Sequence, residues 1–288
     1  MIDQLVSPFA EFAFMRRALA AGVIVAIAAA PIGVFLLARR MSLTGEALSH
    51  GMLPGIALGF LVAGASTTAM AVGALVGGMA IAMLASIFAR YTDQREEAGL
   101  AVFFTLALAA GVTLLSVGGA TVDVSHILFG SILSVDRANL AVIAGAAVMA
   151  IIVLALIWPA LVLDTADSAF FRSVSGSGPW ASAAFMGAVV LILAAAFQAV
   201  GTLMSVGMLV LPAATARFVA RRLPTLALTA AALGVLGVAI GLLASFYTGA
   251  PSGPSIVLTL GAFYAAAFVV GPADGAIARR ARATAHAF

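Results

Sequence analysis

From Ala138 to Leu163 the sequence carries no charged side chain. A helix rises about 1.5 Å per residue, so roughly 20 such residues cross the approximately 30 Å of hydrocarbon in a bilayer. Comparable runs recur along the chain, and they are continuous rather than alternating. Helices and closed barrels are the two ways to satisfy every backbone polar group in lipid, and continuous runs favour helices. With 64% hydrophobic and 9% charged residues, the 288-residue chain cannot hide its apolar surface in one water-soluble core. The expected fold class is all-α, a polytopic transmembrane helical bundle of about eight to nine spans that forms a single membrane domain over residues 1–288.

The runs predict spans at about Phe14–Ala38, Leu43–Gly64, Thr67–Ala89, Ala98–Val117 and Ala138–Leu163, then Trp180–Val200, Gly201–Ala216, Thr225–Tyr247 and Ile256–Val270. Merging the sixth and seventh gives eight. The stretch Ile127–Val135 is too short to cross and is expected to be re-entrant or surface-lying. Gly73 and Gly77, like Gly237 and Gly241, have the small-xxx-small spacing that lets helix backbones approach closely. The opening residues lack the basic-then-apolar order of a cleaved signal peptide, so the N-terminus is expected to be retained.

The net charge of +3 rests on arginine alone, because the sequence has no lysine. A phosphate-binding P-loop requires lysine, so ATP hydrolysis by that route is excluded. The arginines lie between apolar runs and form no nucleic-acid footprint. There is no cysteine, which leaves oxygen and imidazole groups as possible metal ligands. Positive charge accumulates in cytoplasmic loops. Nine spans with a cytoplasmic C-terminus place Arg39, Arg40, Arg90, Arg95, Arg172, Arg217, Arg221, Arg222, Arg279, Arg280 and Arg282 inside, and only Arg16, Arg17 and Arg137 outside.

In that topology Glu46 and His50 sit roughly 8 to 14 Å into the membrane from the inner edge. Four residues apart, they share one helix face. Ionisable groups at such depth are costly and have a partner or a watery path. One reading pairs Glu46 with Arg39 or Arg40 and packs His50 in the core. The other lets carboxylate and imidazole chelate a divalent cation. One chain offers two ligands where zinc takes about four, and a two-fold dimer would supply two pairs. Such binding weakens in acid, since the ligands must be deprotonated. Asp123 and His126, three apart in an outer loop, are a weaker metal-receiving pair.

The segment RRMSLTGEALSHGMLPGIALGFL resembles the signature of the membrane permease subunit of bacterial ABC-type zinc and manganese importers, a group that includes zinc uptake permeases. The likeness continues through REEAGLAVFFTLALAAGV, HILFGSIL and GTLMSVGMLVLPAATARFVARR, and covers nearly the whole chain. It implies a permease, not an enzyme, in the bacterial inner membrane, with no covalently bound cofactor and a transported divalent ion, zinc first, with manganese or iron as alternatives. It also implies a homodimeric pore, two cytoplasmic ATPase subunits and an extracytoplasmic metal-binding protein. The family's G-[DE]-A-L-S-H pattern falls on Glu46 and His50, where aspartate is the commoner first residue. Asp164 to Gly178 is the expected ATPase contact, with Ala213 to Arg222 second.

Two rivals belong to other classes. A membrane-embedded hydrolase using Ser49 or His50 fails because neighbouring helical residues point about 100° apart. A stand-alone proton-coupled carrier stays open, because intramembrane carboxylates also build proton relays.

Overall fold

The computed structural model describes residues 2–64, 66–92, 96–117, 132–167, 170–171, 178–276 and 278. It is all-α: among the described residues there is no strand. The helices are α1 (Ile2–Glu11), α2 (Ala13–Ala38), α3 (Thr44–Gly51), α4 (Leu53–Ala63), α5 (Thr67–Tyr91), α6 (Glu96–Val117), α7 (Arg137–Ala166), α8 (Gly178–Ala216), α9 (Leu223–Thr248) and α10 (Ser252–Val270). Among the described residues, eight segments are long and apolar enough to cross a membrane.

Hydropathy alone does not say which helix lies innermost, but side-chain size does. Helix α2 is rich in alanine and glycine, and Ala18, Ala21, Ala28, Ala29, Ala30 and Gly33 are all buried. Small side chains admit neighbours on several faces. Accordingly α7, α8 and α9 all pack on α2. Phe35 fills the centre, edge-on to Trp158 of α7 at 4.9 Å and to Phe185 of α8 at 6.3 Å between ring centroids.

Contacts along α2 fix the direction of its neighbours. Ser182 lies beside Arg39 and Phe185 beside Phe35, whereas Ala196 joins Met15 and Ala18 at the other end. The first half of α8 therefore runs antiparallel to α2. Residues Met204 and Met208 share the Met15 cluster, and Ala213 and Ala216 share one with Ala30 and Val34. The second half runs back. The reversal is at Gly201, with φ 76° and ψ 172°, a conformation almost confined to glycine. This is the predicted boundary between the sixth and seventh spans. The returning helix Met204–Ala216 covers only about 20 Å, too little to cross alone.

Among the described residues the chain thus makes nine passes in alternating direction, of which eight are full-length spans. Arg39, Arg40, Arg217, Arg221 and Arg222 lie at one end, where Arg221 donates to the Ala273 carbonyl (2.8 Å) and Ala273 N–H to the Phe218 carbonyl (2.8 Å). Arg16, Arg17 and Arg137 lie at the other. Among the described residues these arginines thus fall at two opposite ends, grouped as the charge bias suggested.

Two features depart from the expectations. Helix α1 was not anticipated; the Arg16 guanidinium ties it down by donating to the Ala10 carbonyl (2.6 Å). The span predicted at Leu43–Gly64 is two helices, broken at Met52 just before Pro54. Of the stretch Ile127–Val135, residues 127–131 lie outside the described residues; in the rest, Ile132–Ser134 form a short turn whose Ile132 is buried in the cluster of Met15 and Ala18 while Ser134 is exposed.

Candidate functional site

Helix α3 buries Thr44, Gly45, Ala47, Leu48, Ser49 and Gly51. Its glycine at position 45 lets it lie close on α8, where a Cβ would meet Leu209 at 3.0 Å. Glu46 and His50 share the remaining face, which turns toward α6, as their spacing predicts. Glu46 is exposed and His50 is half-buried. A cavity of about 170 Å³ opens there, lined by Leu43, Thr44, Glu46, Ala47, Leu100, Ala101 and Phe104. The His50 ring lies 6.3 Å from that of Phe104.

The electrostatics of this face are unusual for a membrane segment. No described cation lies within ion-pair reach of Glu46. Arg39, which the sequence offered as its partner, is bound to Asp164 of α7 instead. The Nδ1 of His50 is enclosed and has no hydrogen-bond partner, as are the hydroxyls of Thr44 and Ser49 on the same helix. A buried polar atom without a partner is costly and marks a ligand, water or functional requirement. Carboxylate and imidazole are both good ligands for divalent transition metals. Among the described residues no three acidic or histidine side chains cluster, so one protomer brings two such ligands to this face.

The break at Met52 to Pro54 lies one turn beyond His50. Proline removes a backbone donor there and loosens the helix. Helix α6 covers the break: a Cβ on its Gly111 would lie 2.9 Å from the Pro54 nitrogen. The opposite side of α4 packs on α5 backbone to backbone through Gly55, Gly59, Gly73 and Gly77.

The second predicted pair, Asp123 and His126, lies outside the described residues, as do residues 168–169 and 172–177 of the predicted ATPase-contact loop. In the described part, Asp167 caps a turn by accepting from Phe170 N–H (2.9 Å), and Phe171 is buried. Asp164 and Arg39 form an ion pair that the sequence reading missed. The available signal was two opposite charges at span ends assigned to the same side.

Solved and curated proteins resemble this chain over nearly its whole length. The structure "PsaBC from Streptococcus pneumoniae in complex with Fab" matches with a TM-score of 0.82 and 28% identity, over 95% of this chain and 97% of that one. The manganese transport system membrane protein MntC of Halalkalibacterium halodurans is 32% identical over 96% of this chain and 92% of its own length. The chelated iron transport system membrane protein YfeC of Yersinia pestis is 29% identical over 98% of this chain and 94% of its own. The model of the ABC 3 transport family matches residues 11–271, and this multi-pass membrane protein belongs to that family.

Proposed function

We propose that this permease carries divalent transition metal ions inward, and that Glu46 and His50 line the route. The observation that carries the reading is a carboxylate and an unpartnered imidazole nitrogen on one face of α3, beside a cavity and with no described cation to neutralise the carboxylate. Manganese is the foremost ion. A relative is named for manganese and another for chelated iron. An oxygen-plus-imidazole set without thiolate suits manganese and iron. Zinc, the first expectation from the sequence, is not what these relatives' names record.

Two ligands from one protomer leave a metal under-coordinated, so the exposed Glu46 face is assigned to the axis of a homodimer that brings two pairs together. With the arginine-rich end cytoplasmic, ATP hydrolysis on separate subunits bears on the segments 164–178 and 213–222, while an extracytoplasmic binding protein delivers the ion to the opposite end. The test is uptake of radioactive manganese by cells expressing the whole transporter. Glu46→Ala and His50→Ala are each expected to abolish uptake at normal expression. Undiminished uptake removes the pair from the route.

A further inference from the structure

The Arg39–Asp164 pair lies between two regions to which the preceding reading gives work. Arg39 is the C-cap of α2, and its N–H donates to the Phe35 carbonyl (2.9 Å). From there the chain enters α3 without slack. Arg40 N–H donates to the Leu37 carbonyl (3.2 Å), Met41 N–H to the Leu36 carbonyl (2.8 Å), and Thr44 N–H to the Met41 carbonyl (3.2 Å). This is the Schellman pattern, which places one residue in the left-handed region and ordinarily uses glycine. Here the residue is Arg40, at φ 62°. A side chain held in that region persists when its surroundings over-determine the backbone.

The residue before Arg40, Arg39, is anchored through its side chain. Its guanidinium binds the Asp164 carboxylate, lies 3.5 Å from Ser182 Oγ, and stacks over the Phe185 ring with Cζ 5.2 Å from the centroid. The two charged side chains are 11% and 23% exposed. One arginine thus cross-ties α2, α7 and α8 at the arginine-rich end. Three residues after Asp164, Asp167 caps the next turn, and the chain continues into the segment 168–177 assigned above to the ATPase.

We propose that Arg39 and Asp164 are positioning residues for transport: a strut that transmits movement of the 164–178 segment through the Arg39–Thr44 turn to the helix bearing Glu46 and His50. Neither residue touches the ion. The inference rests on the preceding reading for what acts at each end of the strut, so its test has a readout that does not involve metal.

The chain has no cysteine, so one introduced at Leu43, which is 61% exposed at the mouth of the Glu46 cavity, reports on the turn alone. In the complete transporter with its ATPase, the rate of maleimide labelling of Leu43→Cys is compared with and without ATP. We expect a change of about fivefold or more, the lower end of ordinary allosteric coupling. Asp164→Asn should abolish that change, and Asp164→Glu should retain most of it. Where Asp164→Asn lowers the folded yield, the exchange of Arg39→Asp with Asp164→Arg keeps both charges, and it should restore labelling that responds to ATP. The strut is overturned by an unchanged response in Asp164→Asn, by a folded exchange variant that stays unresponsive, or by no response in the Leu43→Cys parent. Loss of manganese uptake in Glu46→Ala is measured separately, so failure of the metal reading leaves the labelling result intact.

Discussion

Replacing Gly55 by alanine tests the backbone-to-backbone packing of α4 on α5. The new Cβ would lie 2.7 Å from the Gly73 carbonyl carbon, and closer still to its oxygen. Carbon atoms sit comfortably at about 3.5 Å or more, so α4 must retreat by at least about 0.8 Å, and further to clear the oxygen. No side chain intervenes, so no rotamer change relieves the contact. A retreat of that size also loosens the neighbouring approach of Gly59 to Ala69 and Met70, where a Cβ would now meet atoms at 2.5 to 3.1 Å. Overpacking costs about 1 to 3 kcal/mol, and a clash with main chain belongs near 3 kcal/mol. The assay is denaturant unfolding of the purified protein in detergent, followed by helical circular dichroism. Gly77→Ala is the graded control: its Cβ meets Gly55 Cα and N at 3.2 Å, which a small adjustment absorbs, so about 1 kcal/mol is expected. Gly73→Ala presses on the Gly55 carbonyl across the same helix contact, so one retreat serves both and the double variant should cost clearly less than the sum of the two. A Gly55→Ala protein within about 0.5 kcal/mol of wild type, or a Gly77→Ala protein equally damaged, would refute the argument.

Two other substitutions probe the fold by different physics. Gly201→Ala forces a Cβ into a backbone conformation nearly restricted to glycine and should cost about 1 to 3 kcal/mol in the same unfolding assay. Asp164→Leu leaves the half-buried Arg39 guanidinium without its carboxylate, for an expected loss of about 1 to 3 kcal/mol, whereas Arg39→Met combined with Asp164→Leu removes both charges and should recover most of that stability. A double variant as unstable as Asp164→Leu alone would show that packing, not the stranded charge, sets the penalty.

The sequence made the membrane class legible because hydropathy is additive along a run and needs no knowledge of neighbours. It also made Gly201 legible as a boundary, since a helix from Trp180 to Ala216 would exceed a bilayer by about 25 Å. The shared face of Glu46 and His50 followed from helical periodicity alone. What lay outside reach depends on which way a helix is rotated. Nearness in sequence suggested Arg39 for Glu46, yet α3 turns its glutamate toward α6, and Arg39 finds a carboxylate 125 positions away. The enclosure of the His50 nitrogen likewise requires knowing that Phe104 of α6 lies alongside.

The reversal at Gly201 has a consequence for the residues around it. A bend between two apolar helices presents peptide groups that hydrocarbon cannot solvate, so only protein can screen them. Gly201 is itself buried, and Met15, Ala196, Met204 and Ile256 belong to the apolar cluster packed at that end. Those side chains serve as insulation for a hairpin within the bundle. Their size and shape are therefore constrained as tightly as any ligand-bearing position, although they are remote from the proposed route of the ion.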